Sequence, residues 1–367
     1  MIIRSVDLQN FRNYEFLHME FDESTNILYG DNAQGKTNIL ESIYLSVTTK
    51  SHRGSKDSEM ISFDKEEAHL KTIVTKKNID YRIDMHLKKN KSKGIAINGV
   101  PIRKSAELYG IINTVLFSPE DLGIIKNGPS GRRRFMDMEL CQLDKIYVNS
   151  LINYNKSVDQ RNRLLKDAYY DKSLENTIDV WDMQIVRFGN EVIKIRRKFI
   201  DNLNTIIKDI HLKLTGNKEN LTISYEPSVN EDEFQIRLEK SRERDLKMKM
   251  TGVGPHRDDI FFAIDGVDIR KYGSQGQQRT AALSLKLAEI EFVKSATGDT
   301  PILLLDDVLS ELDSSRQNYL LNSIDSIQTV ITCTGLDEFI NNRFEINRIY
   351  KITNGTAQMI SDNVNMT

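Results

Sequence analysis

The stretch GDNAQGKT, from Gly30 to Thr37, decides how this chain folds. It follows the short apolar run NILY at 26–29 and precedes NILESIYLSV at 38–47, whose apolar residues recur at helical spacing. A strand, a glycine-rich turn and a helix form the context that the G-x-x-x-x-G-K-[ST] pattern requires. Such a loop surrounds phosphates with its N–H groups, its lysine contacts the outer phosphate oxygens, and its hydroxyl binds Mg²⁺. The predicted nucleotide-binding residues are Gly30, Asp31, Asn32, Ala33, Gln34, Gly35, Lys36, Thr37 and Asn38.

A second motif, PILLLDDVLSELD at 301–313, argues against a chance match of the first. Its continuous apolar run predicts a strand that is buried on both faces, as in a parallel sheet, and two carboxylates follow at the end of that strand. Two solvated acids are the alternative interpretation, which a single acid would favour. Paired with the phosphate loop, the motif predicts a Mg²⁺ site formed by Thr37 and Asp306 and catalytic roles for Lys36 and for Asp307, which would orient or deprotonate water.

The segment GSQGQQRTAALSLKLAE, from Gly273 to Glu289, changes abruptly from polar to helix-forming residues. Ala282, Leu285 and Phe292 lie at helical spacing, so the polar cluster stands at a helix N-terminus. The unpaired N–H groups and the positive end of the dipole at this place favour an anion. A helix with a serine cap and solvated glutamines is the alternative, and it would explain the segment taken alone.

Composition excludes several classes of protein. The chain has 367 residues, of which 39% are hydrophobic and 28% are charged, as is typical of a soluble globular protein. Cys141 and Cys333 have no metal-ligand spacing, so we expect a reducing, cytoplasmic compartment. The apolar runs are too short for a membrane span, and residues 1–16 predict a strand rather than a signal peptide. Because the net charge is −2, any contact with DNA must be a local basic patch.

The order of the three motifs resembles that of the ABC-type ATPases, and SQGQ at Ser274–Gln277 resembles the signature motif of the SMC and RecF group. Within this group, the chain resembles the RecF family of bacterial recombination proteins. The segments that carry the resemblance, in family order, are LQNFRNYE at 8–15, GDNAQGKTNILESIY at 30–44, KSHRGSKDSEMI at 50–61, FSPEDLGIIKNGPSGRRRFMD at 117–137, QRNRLLK at 160–166, TGVGPHRDD at 251–259, GSQGQQRTAALSLKLAE and LLLDDVLSELD. After Asp313 the resemblance becomes looser.

The resemblance implies an α/β fold, an ABC-type ATPase head with a mixed sheet and flanking helices, and a site shared by two subunits. ATP and Mg²⁺ are the implied cofactors. The signature residues Ser274, Gln275, Gly276 and Gln277 would act in trans, at the γ-phosphate of nucleotide held by a second copy of the chain. We therefore expect a homodimer that forms on ATP.

The resemblance also implies ATP-dependent DNA binding in recombinational repair. A protein of this kind binds double-stranded and gapped DNA and acts with RecR and RecO to help load RecA. Asp307 stands where ABC enzymes usually have glutamate, and TCT at 332–334 stands where many have a switch histidine, so we expect a weak, DNA-stimulated ATPase that serves as a timed switch. A transporter ATPase would carry a Gln loop instead of SPEDL at 118–122. A DNA scaffold that holds nucleotide without turnover is the alternative that stays open.

The region between the motifs predicts an inserted helical lobe. Apolar residues recur at spacings of three, four or seven from Tyr147 to Leu165, and at alternating spacings of three and four from Ile178 to Phe199, which is the pattern of a heptad seam on two helices. YYDKS at 169–173 joins them, so we expect a coiled-coil-like hairpin. The predicted parts are an ATPase head of residues 1–125, a helical lobe of residues 126–250, and the second part of the head at residues 251–367.

Basic clusters in this lobe, at 132–134, 194–198 and 242–249, are candidate DNA contacts. A solvated helix face explains any one of them equally well, whereas the resemblance favours a duplex-binding groove for some. Contacts of this kind go mainly to phosphates and read no sequence. The predicted DNA-binding residues are Arg132, Arg133, Arg134, Arg196, Arg197 and Lys198.

Overall fold

The structure, a computed structural model, describes residues 1–324, 326–336 and 346–364. The chain forms two compact units. The first comprises Met1–Asp121 and Glu289–Thr367, and the second comprises Leu122–Ala288. Among the described residues, no helix combines the length and the apolar character that crossing a membrane requires.

Strands and α-helices of the described residues are numbered in chain order. The strands are β1 Ile2–Phe11, β2 Tyr14–Glu20, β3 Thr25–Tyr29, β4 Glu67–Lys76, β5 Ile79–Lys88, β6 Lys91–Ile97, β7 Val100–Pro101, β8 Thr114–Phe117, β9 Leu221–Glu226, β10 Asp259–Ile264, β11 Val267–Asp268, β12 Ile302–Asp306, β13 Thr329–Cys333, β14 Ile346–Thr353 and β15 Thr356–Val364. The helices are α1 Lys36–Thr48, α2 Leu122–Lys126, α3 Pro129–Leu143, α4 Lys145–Ala168, α5 Ile178–Leu214, α6 Phe234–Met248, α7 Ile269–Tyr272, α8 Gln275–Thr297 and α9 Ser314–Ser323.

The phosphate loop follows a strand of a six-stranded sheet in the first unit, whose strand order is β15-β14-β3-β13-β12-β8. All its neighbouring pairs are parallel except β14 with β15. Every residue of β12 and of β13 is buried, as expected for strands covered on both faces. The carboxyl ends of β3, β13 and β12 therefore lie side by side at one edge of the sheet, where ligands bind in open α/β sheets.

The helix that follows the phosphate loop, α1, packs on two sheets. It contacts β12 and β13 of the parallel sheet, and also β4 and β5 of an antiparallel sheet with the order β2-β1-β4-β5-β6-β7. Of its 13 residues, 11 are buried, so the helix is surrounded by the protein core on nearly every side. This burial fixes the direction of the helix start and with it the position of the phosphate loop.

The second unit contains the predicted helical hairpin. Helices α4 and α5 pack along each other, and every seventh residue of α5 from Ile178 to Phe199 is buried. These residues are every second position of the predicted heptad seam, whereas the positions between them, Trp181, Phe188 and Ile195, are half-buried. Helix α5 continues past Phe199 to Leu214, because Leu203 and Ile207 prolong the buried stripe where α5 packs on β9.

The second unit extends beyond the predicted lobe of residues 126–250. It continues to Ala288 and includes a three-stranded sheet with the order β11-β10-β9. Because α5 packs on β9 and α3 packs on β10, the hairpin and this sheet share a core. The predicted boundary at residue 251 thus lies inside the unit, and the signature segment at the start of α8 belongs to it.

A buried arginine joins the hairpin to α6. Arg161 of α4 is fully buried, and its Nε lies 2.5 Å from Asp182 Oδ1 of α5. Its Nη1 lies 2.8 Å from Asp245 Oδ2 of α6 and also donates to the hydroxyl of Thr251. Arg161 thereby connects segments that are far apart in the sequence, and its removal leaves charges that water cannot solvate.

Arg161→Ala is expected to lower the free energy of unfolding by about 3–5 kcal/mol, because Asp245 stays buried without its guanidinium partner and Asp182 keeps only its ion pair with Arg242. Urea denaturation followed by circular dichroism measures the change. Arg163→Ala, at an exposed position of the same helix, is the control and should change stability by less than about 0.5 kcal/mol. Equal stabilities of the two variants would contradict a structural role for the buried network.

Candidate nucleotide-binding site

The phosphate loop, residues 30–35, contains two glycines whose positions exclude a side chain. Gly30 has a φ of 153° and Gly35 a φ of 112°, in the region that favours glycine. A Cβ on Gly30 would lie 2.4 Å from the carbonyl oxygen of Ile352, and a Cβ on Gly35 would lie 2.5 Å from Nδ2 of Asn13. The glycines of the sequence pattern are therefore steric requirements of this particular turn.

Two side chains, from the turn between β1 and β2 and from the first residue of β2, hold the phosphate loop in place. Asn13 donates from Nδ2 to the carbonyl oxygen of Gln34 at 3.0 Å, and its Oδ1 accepts from Nδ2 of Asn38 at 2.8 Å. The hydroxyl of Tyr14 donates to the carbonyl oxygen of Gly35 at 3.1 Å. Asn13 and Tyr14 have no predicted role, although both lie in the segment LQNFRNYE that carries the family resemblance.

The first residue of α1, Lys36, points back into the loop. Its ammonium group donates to the carbonyl oxygens of Gly30, at 2.5 Å, and of Asp31, at 2.9 Å, and the residue is 6% exposed. A buried ammonium group requires such partners. Phosphate oxygens in the loop would offer it stronger, charge-assisted hydrogen bonds. Lys36 therefore lies where the sequence predicts the phosphate contact.

Two hydroxyl groups converge on one carboxylate oxygen at the edge of the parallel sheet. The hydroxyl of Thr37 and that of Thr332, at the end of β13, each donate to Asp306 Oδ1 at 2.8 Å. Asp306 ends β12, and β13 lies between β12 and β3, so the fold brings the two predicted metal ligands into contact. Hydroxyl and carboxylate oxygens are ligands that Mg²⁺ accepts.

The second acid, Asp307, has an unusual backbone conformation. Its φ is 56°, in the left-handed region that Asp and Asn enter more readily than most side chains. The hydroxyl of Thr332 accepts a hydrogen bond from the N–H of Asp307 at 3.0 Å and so links both acids to β13. Burial raises the pKa of Asp307, and nearby Asp306 adds to the rise while Lys36 opposes it. A higher pKa makes the carboxylate a stronger base, as proton abstraction from water requires.

His52 has no predicted role, yet its imidazole lies close enough to Asp306 for the two charges to interact. Its ring packs edge-on against Tyr44, with 5.8 Å between the ring centres. Burial lowers the pKa of His52 below its ordinary 6.5, although the carboxylates of Glu41 and Asp306 act in the opposite direction. The imidazole is therefore neutral at pH 7. The feature of the sequence that could have pointed to His52 is its position just after α1, within the segment KSHRGSKDSEMI at 50–61 that carries the family resemblance.

The signature segment caps the start of α8. The Oγ of Ser274 accepts from the N–H of Gln277 at 3.2 Å, and Oε1 of Gln277 accepts from the N–H of Ser274 at 2.9 Å, which together form a capping box. Ser274, Gln275 and Gly276 are exposed. The serine cap thus accounts for the contacts within the chain, and the exposed helix start remains accessible to a ligand.

Two of the residues predicted to contact DNA are buried in ion pairs within the second unit. Arg132 is 1% exposed, and its guanidinium pairs with both carboxylate oxygens of Asp259, at 2.5 and 3.0 Å. Arg196 is 2% exposed and pairs with Asp137 at 2.8 Å and with Asp258 at 3.1 Å. A phosphate could be reached only by breaking these buried pairs, at a cost of about 3–5 kcal/mol each. Both arginines stabilise the fold of the second unit.

The other four predicted DNA contacts differ in exposure. Arg133 is half-buried and donates to a backbone carbonyl oxygen at 2.8 Å. Arg197 is half-buried and pairs with Glu231 at 2.9 Å. Arg134 and Lys198 are exposed. By exposure, Arg134 and Lys198 are the stronger candidates for contact with a phosphate.

Comparison with known proteins places the chain in a family. The family model described as the RecF/RecN/SMC N terminal domain matches residues 2–359. The DNA replication and repair protein RecF of Lachnospira eligens is 64% identical over 357 residues, which cover 97% of this chain and 98% of the relative. The protein of the same description from Agathobacter rectalis is 62% identical over 362 residues, which cover 99% of this chain and all of the relative.

Solved structures confirm the predicted fold. The structure of the recombination mediator protein RecF-ATP in the RecFOR pathway superposes with a TM-score of 0.92 at 37% identity, covering 98% of each chain. The SMC head bound to the C-winged helix domain of ScpA has a TM-score of 0.58 at 15% identity, covers 99% of this chain and 98% of that chain, and shares the fold. The predicted α/β ABC-type ATPase head with a helical insertion is therefore confirmed. The chain belongs to the RecF/RecN/SMC N-terminal domain family and, within it, to the RecF proteins of DNA replication and repair.

Proposed function

We propose that the protein binds ATP and Mg²⁺ at the phosphate loop and uses this nucleotide to control its binding to DNA. The observation that carries the proposal is the contact of Thr37 with Asp306 beside the loop that holds Lys36. Oxygens of this kind suit Mg²⁺, and the ammonium group of Lys36 suits the phosphates. The RecF structure that shares 37% identity is described with ATP, which supports the choice of nucleotide.

Hydrolysis is proposed to be weak and stimulated by DNA. Asp307 would act as the base. Its left-handed backbone and the hydrogen bond from its N–H to the hydroxyl of Thr332 would set the direction in which its carboxylate points. Its side chain is one methylene shorter than the glutamate usual in ABC-type ATPases. A base that reaches less far positions water less well, and misplacement of this kind lowers the rate steeply. Slow turnover suits a timed switch.

The start of α8 is proposed to act on the nucleotide of a second copy, so that ATP drives formation of a homodimer. The exposed Ser274 and Gly276 support this role, since neither is covered within the chain. The dimer would bind duplex DNA at gaps through phosphates, with Arg134 and Lys198 as proposed contacts. It would act with RecR and RecO to help load RecA, a proposal supported by the RecFOR pathway in the description of the similar structure.

A DNA scaffold that holds nucleotide without turnover is the alternative. Phosphate release with and without duplex DNA separates the two functions, because only the switch hydrolyses ATP faster when DNA is bound. Light scattering without nucleotide, with ADP and with ATP then reports the oligomer. We expect dimers with ATP but not with ADP or without nucleotide, and we expect turnover to rise when duplex DNA is added. Turnover at the background rate both with and without DNA would favour the scaffold.

Asp307→Asn is expected to lower ATP turnover roughly 100-fold or more, while ATP still binds. Asparagine keeps the shape of the side chain and tolerates the left-handed backbone, but it cannot accept the proton of the attacking water. ATP-bound dimers should therefore persist longer. Phosphate release and light scattering measure the two effects, and turnover at the wild-type rate would exclude Asp307 as the base.

Asp306→Asn provides the contrast to this variant. It removes a proposed Mg²⁺ ligand, so turnover should fall and should recover in part as the Mg²⁺ concentration rises. The Asp307→Asn variant should not recover in this way.

The wild type should lose turnover as the pH falls. Because the pKa of Asp307 is raised, its carboxylate takes up a proton, and stops acting as a base, at a pH above the ordinary aspartate pKa of 3.8.

A further inference from the structure

The antiparallel sheet of the first unit carries a pair of histidines on the face that does not pack on α1. His69 of β4 and His86 of β5 stand directly opposite each other, and Glu67 lies two residues before His69 on the same face of β4. The intervening Ala68 and the neighbouring Leu70 point the other way and are buried. Alternation along the strands thus places two imidazoles and one carboxylate together on the outer face.

The three side chains lie within the reach of one small ligand. His86 Nε2 lies 2.9 Å from Glu67 Oε2, and His69 Nε2 lies 3.7 Å from Glu67 Oε1. One donor atom from each residue falls within 4.8 Å of the other two. The side chains are 32–47% exposed, so their donor atoms can rearrange. The hydrogen bond from His86 lowers the pKa of Glu67 and keeps this carboxylate charged.

The histidine pair lies in a groove of about 450 Å³ on the outer face of the sheet. Gly94 also lines the groove; it pairs with His86 on the far side from His69 and has no side chain to cover this part of the sheet. Phe16, whose ring is largely exposed, forms part of the opposite wall. A ligand bound to the histidines would therefore keep an open side toward solvent.

We propose that Glu67, His69 and His86 bind Zn²⁺ or another divalent metal ion that prefers imidazole ligands. Two imidazoles and one carboxylate are a ligand set that Zn²⁺ uses, with water in the fourth position. Imidazole nitrogen suits zinc, copper and nickel, whereas Mg²⁺ and Ca²⁺ prefer sites made only of oxygen. The site is separate from the Thr37–Asp306 contact, which offers oxygen alone.

Metal binding requires one local rearrangement and the loss of the proton from His86 Nε2, which passes to Nδ1 of the same ring as Glu67 changes from hydrogen-bond acceptor to metal ligand. The rings of His69 and His86 are stacked, with 3.9 Å between their centres and 23° between their planes. The ring of His69 must turn out of this stack for both Nε2 atoms to face one ion. Half-exposed side chains change rotamer within nanoseconds, so this turn is accessible without movement of the strands. Lys88, whose Nζ lies 3.6 Å from Glu67, is the cation that the metal would displace.

The test titrates Zn²⁺ into the full, tag-free chain by calorimetry, without nucleotide and with excess Mg²⁺ present. Mg²⁺ occupies the oxygen ligands at Asp306, so zinc binding there does not confuse the result. We expect one Zn²⁺ per chain. His86→Ala and His69→Ala should each weaken this binding by at least about tenfold, since even the loss of an outer-shell partner costs that much.

His18→Ala is the matched control. His18 stands on the same face in β2, where it contacts Asp7 at 2.7 Å rather than Glu67. Its removal should leave zinc affinity unchanged, and circular dichroism should show that all three variants fold. The proposal is overturned if the wild type binds no zinc at micromolar concentration, or if His18→Ala weakens binding as much as His86→Ala does.

Discussion

Lys36→Met is expected to weaken ATP binding by roughly 10- to 100-fold, which corresponds to the loss of one charge-assisted hydrogen bond of about 1.5–3 kcal/mol. The ammonium group lies inside the loop, bonded to the carbonyl oxygens of Gly30 and Asp31. Methionine has nearly the same length, so the fold should persist while the contact with the phosphates is lost. Binding of DNA that depends on ATP should decrease in parallel. A fluorescent nucleotide titration measures the affinity directly.

Lys50→Met is the control for this prediction. Lys50 follows α1, is exposed, and has the same charge as Lys36. Its replacement should leave nucleotide affinity unchanged, because a distant surface charge is screened by salt. Equal affinities of wild type and Lys36→Met would mean that the nucleotide binds elsewhere on the molecule. The assignment of the phosphate loop would then be incorrect.

Ser274→Arg is expected to abolish the ATP-induced dimer and ATP hydrolysis while ATP binding to the monomer stays nearly unchanged. Ser274 lies in the second unit, at the exposed start of α8, whereas the phosphate loop lies in the first. If Ser274 touches only the nucleotide of a second copy, a bulky cation there obstructs the closed interface. Light scattering with ATP and a nucleotide titration of the same sample separate the two effects.

The capping box complicates this variant, because Ser274 also caps its own helix. Loss of a serine cap costs about 0.5–2 kcal/mol of stability, independently of any dimer. Gly276→Arg is therefore the second variant: it keeps the cap, and a Cβ there would meet only the hydroxyl of Ser274, at 3.9 Å. Ser295→Arg, at an exposed position near the other end of α8, is the control and should dimerise normally.

A mixture of Ser274→Arg with Lys36→Met tests the geometry of the shared site. A mixed dimer contains one site with both changes and one site with an intact Lys36 and an intact Ser274. Partial recovery of dimerisation with ATP is expected in the mixture. If Ser274→Arg and Gly276→Arg both dimerise with ATP as the wild type does, α8 does not receive the nucleotide of a second copy.

The sequence by itself determined the phosphate loop, the acidic strand end, the start of α8 and the helical hairpin. Each of these features depends on residues that are close together along the chain. Gly30 and Gly35 mark a turn because only glycine tolerates their backbone and their close neighbours. The continuous apolar run before Asp306 marks a strand buried on both faces, and the seven-residue repeat of α5 marks a seam. Local sterics and hydrophobic periodicity are sufficient for such predictions.

Tertiary structure alone decided which basic residues are accessible. Arg132 and Arg134 are two residues apart on one helix, yet Arg132 is buried against Asp259 and Arg134 is exposed. Charge in the sequence predicts a solvated side chain, but the fold brings Asp259, which lies 127 residues away along the chain, against Arg132. A cluster of like charges therefore does not indicate which members are available to bind a phosphate.

The supporting contacts of the nucleotide site were also decided only by the fold. Thr332 bonds to Asp306 and accepts from the N–H of Asp307, and the N–H of Asn354 donates to Oε1 of Gln34 at 2.7 Å. The resemblance places TCT at 332–334 at the switch position, but no spacing in the sequence predicts that Thr332 contacts Asp306 and Asp307 or that Asn354 contacts Gln34, because the order of strands in the sheet brings these residues together. A hydrogen bond depends on distance in space, and residues hundreds of positions apart along the chain come within that distance only when the sheet has formed.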